Sequence, residues 1–533
     1  MPMAKVKTVV VGRPSSATTT WIFFLFCLIN LLNYVDRGII PGAPTQFQYF
    51  IKATMNITVG QESFYLGLLA SSFIASYAGF ILLFGYLSIF MKPFRLVGVG
   101  LLVWCVAVLV CGAAKQTNSF YVLLAGRILS GIGESSFQCI APPFIDDYAP
   151  PATRTLWLGV FFACISVGTA VGYEYGALFA DSNLGWGWAF YVEAFLMAPL
   201  ALIALCCIPA KYDRPGNHQV HRPSDDDDHH DGDDDEATMT HDASTSHVDD
   251  LEDHSRLIKA KTSPSTSLDA GANSVPSATS TSTTLEAPAN FFHEAFAVSN
   301  NAVFVLVVLG SAAFTFSLAG LSVFGPMFLI GLGLFEKETH ASVVFGSVVV
   351  LAGTIGTPVG GLILDYTCRN LGSNVAMRQY MALRQMFLFM VAGTCLSLIA
   401  WASLPSKLWF LVLFGIALVF LFGTTSCTAI AVLLSVSPSR RALAVAVNTL
   451  LIHVFGDVPS PILLGALKDA LAPDCGSIEV GGKIILNPDC VQDRKGLMDS
   501  LLFPLLWMVW TVLLWGMAVL LVQKRLRLAG QPV

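Results

Sequence analysis

The feature that most constrains this chain is a series of long apolar runs. A helix needs about 20 apolar residues to cross the hydrocarbon core of a bilayer. Backbone groups inside lipid have to be hydrogen-bonded within the protein, and runs of this length exceed what a barrel strand requires. The sequence therefore predicts twelve transmembrane helices, at about 20–41, 64–90, 95–114, 120–147, 155–179, 187–208, 301–332, 341–364, 384–404, 408–437, 443–468 and 500–522.

The charged residues are few and unevenly distributed. Only 12% of the 533 residues are charged, whereas a soluble domain carries about a quarter. Segment 211–290 holds 17 of the 36 acids and 6 of the 30 bases, and the rest of the chain has a net charge of +5. That charge, with the Ser, Thr, Ala and Pro of 261–284, predicts a disordered acidic linker. No basic surface for nucleic acid remains, and no spacing in the linker indicates a metal or cofactor site.

The linker divides the chain into two halves of six predicted helices each. Gly85 to Ile89 after the second helix corresponds to Gly361 to Asp365 after the eighth. Two six-helix halves with a long connection are typical of the major facilitator fold, an all-α membrane architecture with its substrate site between the halves. The predicted organisation is an N-terminal tail, a first half, the linker, a second half and a C-terminal tail, at 1–19, 20–210, 211–290, 291–523 and 524–533.

The distribution of Lys and Arg predicts the orientation. The side that holds both termini and the linker carries 20 of these residues, and the opposite side carries 8. By the positive-inside rule, both termini are expected in the cytoplasm. Asn56 begins a glycosylation sequon on the opposite side. Cys475 and Cys490 share a loop on that side, where an oxidising compartment would let them form a disulfide. An unmodified Asn56 and two free thiols remain the alternatives.

Four ionisable residues lie inside predicted spans and sum to zero charge. Asp36 and Arg37 lie in the first span, and Arg127 and Glu134 lie in the fourth. Arg127 and Glu134 are seven residues apart, which places them on one helix face. Buried ion pairs that only hold helices together would explain the set. A proton switch would explain it too, if helix motion changes which arginine Glu134 meets.

A second set of polar residues lies in the eleventh span. His453 and Asp457 are four residues apart and share a face. Pro459 and Pro461 follow and are expected to interrupt the helix and free backbone groups near a cavity. A histidine bonded only to a neighbouring backbone carbonyl is the alternative. Glu174 and Glu193 are further acids inside spans, and the sequence assigns no partner to either.

Several separate segments resemble the spinster family of major facilitator transporters. They are Asn33 to Arg37, Gly131 to Ser135 with Ala141-Pro142, Val167 to Tyr173, and Asn448 to Pro461. The resemblance implies export of lysophospholipids or sphingoid lipids, often linked to protons, from lysosomes or late endosomes or across the plasma membrane. It also implies that Asp36, Arg37 and Glu134 are coupling residues, with Arg127 as the neighbouring cation.

The chain departs from the family pattern at three places that bear on charge, and one of them is Glu174, in a segment that is usually apolar. Ile89 and Phe90 stand where the facilitator loop motif has Asp and Arg. In the sixth span Tyr191 stands where the family has Arg, and Glu193 follows two residues later. Because positive charge is lost near the site, attraction for anionic head groups is weakened. A zwitterionic substrate is therefore favoured over one whose phosphate gives the head group a net negative charge.

Three functions are compatible with these features. The first is a proton-linked lipid exporter. The second is a carrier for a small hydrophilic solute such as a sugar, an amino acid or an organic anion. The third is a non-transporting membrane scaffold whose acidic loop recruits partners. An enzyme is not expected, because no nucleophile–base pair occurs within one loop.

Overall fold

The computed structural model describes residues 16–58, 60–150, 154–213, 296, 298–369, 371, 374–437 and 440–531. These residues all belong to one structural unit. The predicted linker from residue 214 to 290 and residues 1–15 of the predicted N-terminal tail lie outside the described residues.

The first half consists of eight helices, six of which correspond to predicted spans. Helix α2 lies between the first two spans, and α6 is a separate short helix at the end of the predicted span 120–147, which the structure divides after Gln138. The helices are α1 (Ser16–Gly42), α2 (Pro44–Met55), α3 (Glu62–Phe90), α4 (Pro93–Thr117), α5 (Phe120–Gln138), α6 (Ala141–Tyr148), α7 (Arg154–Asp181) and α8 (Gly187–Cys206).

The second half repeats the six-span arrangement and adds a small hairpin. Strands β1 (Ser477–Val480) and β2 (Lys483–Leu486) pair antiparallel between the last two spans. The helices are α9 (Ala302–Gly331), α10 (Glu338–Cys368), α11 (Val375–Ala402), α12 (Lys407–Leu434), α13 (Arg441–Ile452), α14 (Pro459–Leu471) and α15 (Arg494–Leu528).

Eleven membrane-spanning candidates occur among the described residues, judged by length and apolarity. The pair α13–α14 counts as one of them, because the span Leu443–Leu471 is continuous. The remaining predicted span, the fourth, corresponds to helix α5, which has 19 residues. Arg127 and Glu134 lower its hydropathy, so it is less apolar than the others. The predicted all-α fold with twelve spans in two halves is confirmed.

Two predicted boundaries differ from the structure. Helix α15 begins at Arg494 and continues to Leu528, beyond the predicted end of its span at 522. At the start of the predicted linker, Tyr212 is buried and bonds to Thr19. The Asp213 carboxylate accepts a hydrogen bond from the backbone N–H of Phe94, in the first turn of α4, at 2.9 Å. The first half therefore extends at least to residue 213.

Close packing of α7 on α1 positions the charged residues of α1. Three glycines of α7, spaced four residues apart, lie against α1 of the same half: Gly168, Gly172 and Gly176. A Cβ atom on Gly172 would lie 2.3 Å from the carbonyl oxygen of Val35, and one on Gly38 would lie 2.6 Å from that of Thr169. Both positions therefore have to be glycine for the backbones to approach. The contact holds Asp36 and Arg37 at a defined rotation, facing α5.

The eleventh span passes through a π turn at His453–Asp457, where an interruption was expected. The backbone N–H of Val458 donates to the carbonyl of His453 at 3.1 Å, so the hydrogen-bond ladder continues with a longer step. Pro459 occupies the first position of α14, where its missing N–H is tolerated. The prolines therefore coincide with a wider turn rather than with an open segment. Such π turns occur frequently at functional sites.

Candidate functional site

The first ion pair of the site joins α1 to α5. The Arg37 guanidinium donates from Nη2 to Oε1 of Glu134 at 2.5 Å. The Glu134 side chain is fully buried, whereas that of Arg37 is 22% exposed. The acid therefore lies beneath the cation, and Arg37 is the partner that a solute can reach.

The second ion pair joins the same two helices in the opposite sense. Arg127 Nη1 donates to both carboxylate oxygens of Asp36, at 2.8 and 2.9 Å. Both side chains are buried. Arg127 and Glu134 share a face of α5, but each is paired across to α1 rather than with the other. The two pairs are therefore crossed, with each helix contributing one acid and one base.

Aromatic rings surround the two cations. The Arg37 guanidinium carbon lies 4.5 Å from the ring centroid of Tyr34, 4.9 Å from that of Phe73 and 5.1 Å from that of Tyr77. The Arg127 guanidinium carbon lies 4.6 Å from the same Phe73 ring. Ring faces attract cations, and more strongly where water is excluded. These rings hold both arginines in place while presenting an apolar surface.

The second half contributes His453 and Asp457 from the π turn. His453 Nδ1 and Asp457 Oδ2 lie 2.7 Å apart, and the side chains are 17% and 16% exposed. Oδ1 of Asp457 has no hydrogen-bond partner among the described residues. His453 is thus paired with a carboxylate rather than with a backbone carbonyl. A free acceptor oxygen remains on Asp457.

Tyr77 of α3 lies between the two sets. Its ring is 5.5 Å from the ring of His453, edge to face, and it also contacts Arg37. The sequence analysis did not identify Tyr77. No charge or motif marks this residue, and only the packing of α3 on the second half brings it to the site. The candidate site therefore spans both halves, from Glu134 through Arg37 and Tyr77 to His453 and Asp457.

Carboxylates of the second half join the two halves at one end of the bundle. This end carries α2 and the β1–β2 hairpin and is called the hairpin end below; the opposite end carries Ser16 and Leu528. Glu338 accepts hydrogen bonds from the backbone N–H and the hydroxyl of Thr45, in the first turn of α2. Asp469 accepts from the backbone N–H groups of Ser63 and Phe64, at 3.2 and 2.8 Å, in the first turn of α3.

In both of these contacts, a carboxylate of the second half caps a helix N-terminus of the first half. Helix N-termini carry unpaired N–H groups and partial positive charge, which favour anions. Ser342 also donates to the carbonyl of Gly42 at 2.9 Å, and Tyr173 to that of Ser322 at 2.9 Å. The sequence analysis missed Glu338 and Asp469, because a carboxylate near a span end is ordinary until its partner is known.

The hairpin adds a further contact between the halves and contains the two predicted disulfide cysteines. The structure joins Cys475 to Cys490 by a disulfide that closes a loop around both strands. Within that loop Ser477 donates to the Gln48 side chain at 3.0 Å. Tyr49 donates to Glu479 at 2.5 Å, and this bond raises the pKa of the tyrosine. The loop of the second half thus rests on α2 of the first.

Asn56 lies at the same end of the bundle. It is exposed and ends α2 with a left-handed backbone conformation, φ 52°. The side chain is therefore accessible on the hairpin side.

Among the described residues, no group of three or more His, Cys, Asp or Glu side chains is placed to hold a metal. The His- and Asp-rich stretch near His229 lies outside the described residues.

Comparison with known proteins identifies the family. Residues 26–458 match the Major Facilitator Superfamily model. The Arabidopsis thaliana protein named "Probable sphingolipid transporter spinster homolog 1" is 31% identical over 456 residues, covering 84% of this chain and 82% of that protein. The Danio rerio protein named "Sphingosine-1-phosphate transporter SPNS2" is 24% identical over 465 residues, covering 85% of this chain and 76% of that protein.

A solved structure shows the same fold. It is that of a bacterial homologue of the human lysosomal transporter Spinster, in an inward-facing and unoccupied conformation. It superimposes with a TM-score of 0.67 at 18% identity, covering 96% of this chain and 99% of that chain. The predictions of a carrier rather than an enzyme and of a multi-pass integral membrane protein are confirmed by the family. The chain belongs to the spinster family of major facilitator superfamily transporters.

Proposed function

We propose that this chain carries a sphingoid lipid or a lysophospholipid across a membrane by alternating access, and that proton exchange at Glu134 is coupled to this movement. The relatives named as sphingolipid and sphingosine-1-phosphate transporters support the substrate class. The rings of Tyr34, Phe73 and Tyr77 form an apolar wall beside the only exposed cation of the crossed pairs. A carrier for a hydrophilic solute would instead need a ring of polar donors.

The Arg37–Glu134 pair is the observation that carries the proposal. While Glu134 is ionised, it neutralises Arg37 and occupies the Nη2 donor. A proton on Glu134 removes that charge and leaves the partly exposed guanidinium to bind an anionic group of a substrate. Proton uptake and substrate binding are then linked through one cation, which is the requirement for coupled transport.

The opposite wall suits a positively charged group. Oδ1 of Asp457 is buried and has no hydrogen-bond partner among the described residues, and the side chain as a whole is 16% exposed. An ammonium group donates hydrogen bonds to such an oxygen. A head group with both charges would therefore join Arg37 of the first half to Asp457 of the second. This favours zwitterionic lysophospholipids, and sphingoid bases would use Asp457 alone.

The orientation proposed from the Lys and Arg count places both termini in the cytoplasm and the hairpin end outside or in a lumen. The exposure of Asn56 and the disulfide at the hairpin end are compatible with this assignment. The contacts of Glu338 and Asp469 then close the outer side, and the site is reached from the cytoplasmic side. The compartment proposed is a lysosome or late endosome, or the plasma membrane.

The test is transport by purified protein in liposomes. We expect uptake of a lysophosphatidylcholine or of sphingosine to exceed that of sphingosine 1-phosphate, and uptake of the lysophosphatidylcholine to respond to a pH gradient. A set of sugars and amino acids serves as the control for the hydrophilic alternative. Transport of one of those solutes without lipid transport would reject the proposed substrate class.

The variant Glu134→Gln tests the coupling. It resembles the protonated form and keeps the volume, so net pH-dependent transport should be abolished while substrate binding or exchange remains measurable. Glu134→Asp shortens the side chain by one methylene and should only weaken coupling. Glu174→Gln, on an exposed acid of α7, is the matched control. Native pH dependence in Glu134→Gln would make this residue a packing element.

A further inference from the structure

Glu193 of α8 is a buried acid that the site described above does not use. Glu193 is only 1% exposed. Neither carboxylate oxygen has a hydrogen-bond partner among the described residues. Burying an ionised carboxylate without a partner is strongly unfavourable, whereas a neutral carboxylic acid is tolerated. Glu193 is therefore suited to hold a proton.

Glu193 lies at the same depth as the second ion pair. It is six residues inside α8, Asp36 is six residues from the end of α1, and Arg127 is seven residues inside α5, all counted from the hairpin end. At 1.5 Å per residue, each lies about 10 Å from that end. Glu193 is within electrostatic range of both Asp36 and Arg127.

Among the described residues, Arg127 is the one cation that acts on Glu193. Helix α1 contributes Asp36, α4 contributes the Cys111 thiol and α5 contributes Arg127. From α7, Tyr175 approaches, but its hydroxyl donates to the carbonyl of Ala189 at 2.7 Å. Lys115 of α4 lies a full turn nearer the hairpin end, against Gly185, and is exposed. Arg127 is paired with Asp36 and not with Glu193, so a proton on Glu193 balances the charge of these three residues.

Several buried polar atoms in the first half, besides those of Glu193, have no hydrogen-bond partner among the described residues. Arg127 Nε, Arg37 Nε and Oε2 of Glu134 are buried without a hydrogen-bond partner among the described residues. The same holds for the side-chain amide of Asn33 and for Trp104 Nε1. Buried polar groups in folded proteins are nearly always bonded, and water is the usual partner where no protein atom is available. This part of the first half is therefore equipped to bind water.

We propose that Glu193 is a second proton-binding carboxylate, which exchanges with the hairpin side and is connected to Glu134 past the Asp36–Arg127 pair. The proton moves from the carboxylic acid of Glu193 to the carboxylate of Glu134 through hydrogen-bonded water, and no other bond changes. This inference rests on the proposed proton coupling at Glu134. Glu193 follows Tyr191 by two residues, and Tyr191 stands where the family pattern has an arginine. The inference gives a role to this acid.

The first test compares wild type with Glu193→Gln in liposomes that contain a pH-sensitive dye. Substrate-driven proton movement should fall by about tenfold or more, while substrate exchange at equal pH stays within about twofold. Glu174→Gln is the control acid of the same half and should behave as wild type. Unchanged proton movement in Glu193→Gln, with coupling intact in wild type, overturns the inference and leaves the proposed function standing. Absence of coupling in wild type rejects the proposed function itself.

The second test does not depend on transport or on the folding of Glu193→Gln. Infrared difference spectra of purified Glu134→Gln are recorded as the pH is changed. Among the pH-dependent carboxylic acid C=O bands of Glu134→Gln, one should shift in heavy water and should disappear or change its frequency in the double variant Glu134→Gln/Glu193→Asp. If the pH-dependent bands of the two variants are identical, Glu193 does not exchange a proton and the inference is rejected.

Discussion

Tyr77 of the first half and His453 of the second half meet edge to face, with ring centroids 5.5 Å apart and an interplanar angle of 88°. Tyr77 also contacts Arg37, and His453 is bonded to Asp457. The charged groups of the two halves are thus connected through one pair of rings. This contact lies between bodies that have to move relative to each other during alternating access.

The Tyr77–His453 contact predicts energetic coupling between the halves. In a double-mutant cycle with Tyr77→Leu and His453→Leu, we expect the two effects on thermal stability to be non-additive. The coupling should be about 0.5–1.5 kcal/mol, as for other aromatic pairs. Strictly additive effects would show that the contact contributes nothing in the predominant state.

The Asp36–Arg127 pair predicts a strong dependence of stability on both partners. Asp36→Asn leaves a buried guanidinium without its counter-charge, which should lower the free energy of unfolding by about 3–5 kcal/mol. Adding Arg127→Gln removes that charge and should recover part of the loss. Thermal unfolding in detergent measures both, with Asp499→Asn on the exposed face of α15 as the control. A single variant as stable as wild type would contradict the burial of this pair.

The two carboxylate caps predict control of the conformational equilibrium at the hairpin end. Glu338→Gln and Asp469→Asn each weaken a cap by about 1 kcal/mol, or roughly fivefold in the ratio of closed to open states. Distances between spin labels on α2 and on β2 should show a larger open population. Glu336→Gln, two residues before Glu338 and exposed, is the matched control. An equal shift in that control would assign the effect to net charge alone.

The sequon predicts the side of the membrane. Asn56 should carry a glycan in a eukaryotic host, whereas a sequon introduced at 261–284 should not. Enzymatic deglycosylation and the resulting change in gel mobility report both, and Asn56→Gln is the negative control. Modification of the introduced sequon instead would reverse the proposed orientation.

The hairpin loop predicts stabilisation by its disulfide. Cys475 and Cys490 are 15 residues apart. A closed loop of this length contributes about 3 kcal/mol in the chain-entropy model, so replacing both by alanine should lower the melting temperature. Mass spectrometry of unreduced protein should show neither thiol alkylated, while exposed Cys207, just beyond the end of α8, reacts. Alkylation of both cysteines without a reductant would show that the disulfide does not form.

The sequence predicted which helix carries each charged residue of the ion pairs, but it did not predict which of these residues pair with each other. The spacing of Arg127 and Glu134 correctly placed them on one face of α5, and Asp36 and Arg37 were correctly assigned to α1. Their crossed pairing depends on the rotation of α1, which the glycine contacts with α7 set. A helical period determines the face of one helix, but it contains no information on the partner helix.

The contacts between the halves were the part that could not be predicted. Tyr77 is one ring among many, and Asp469 is one acid near a span end. Their roles follow from partners in the other half, His453 and the first turn of α3.

The twelve apolar runs and the charges within them were sufficient to predict the membrane fold, the two halves and the residues of the first ion pairs, because hydrophobic length and helical period are local properties of the chain. The crossing of the pairs, the connection through Tyr77, the carboxylate caps and the isolation of Glu193 were decided by tertiary packing. Each of these depends on which residues distant in sequence meet in a bilayer, where a buried charge is stable only beside the partner that the fold supplies.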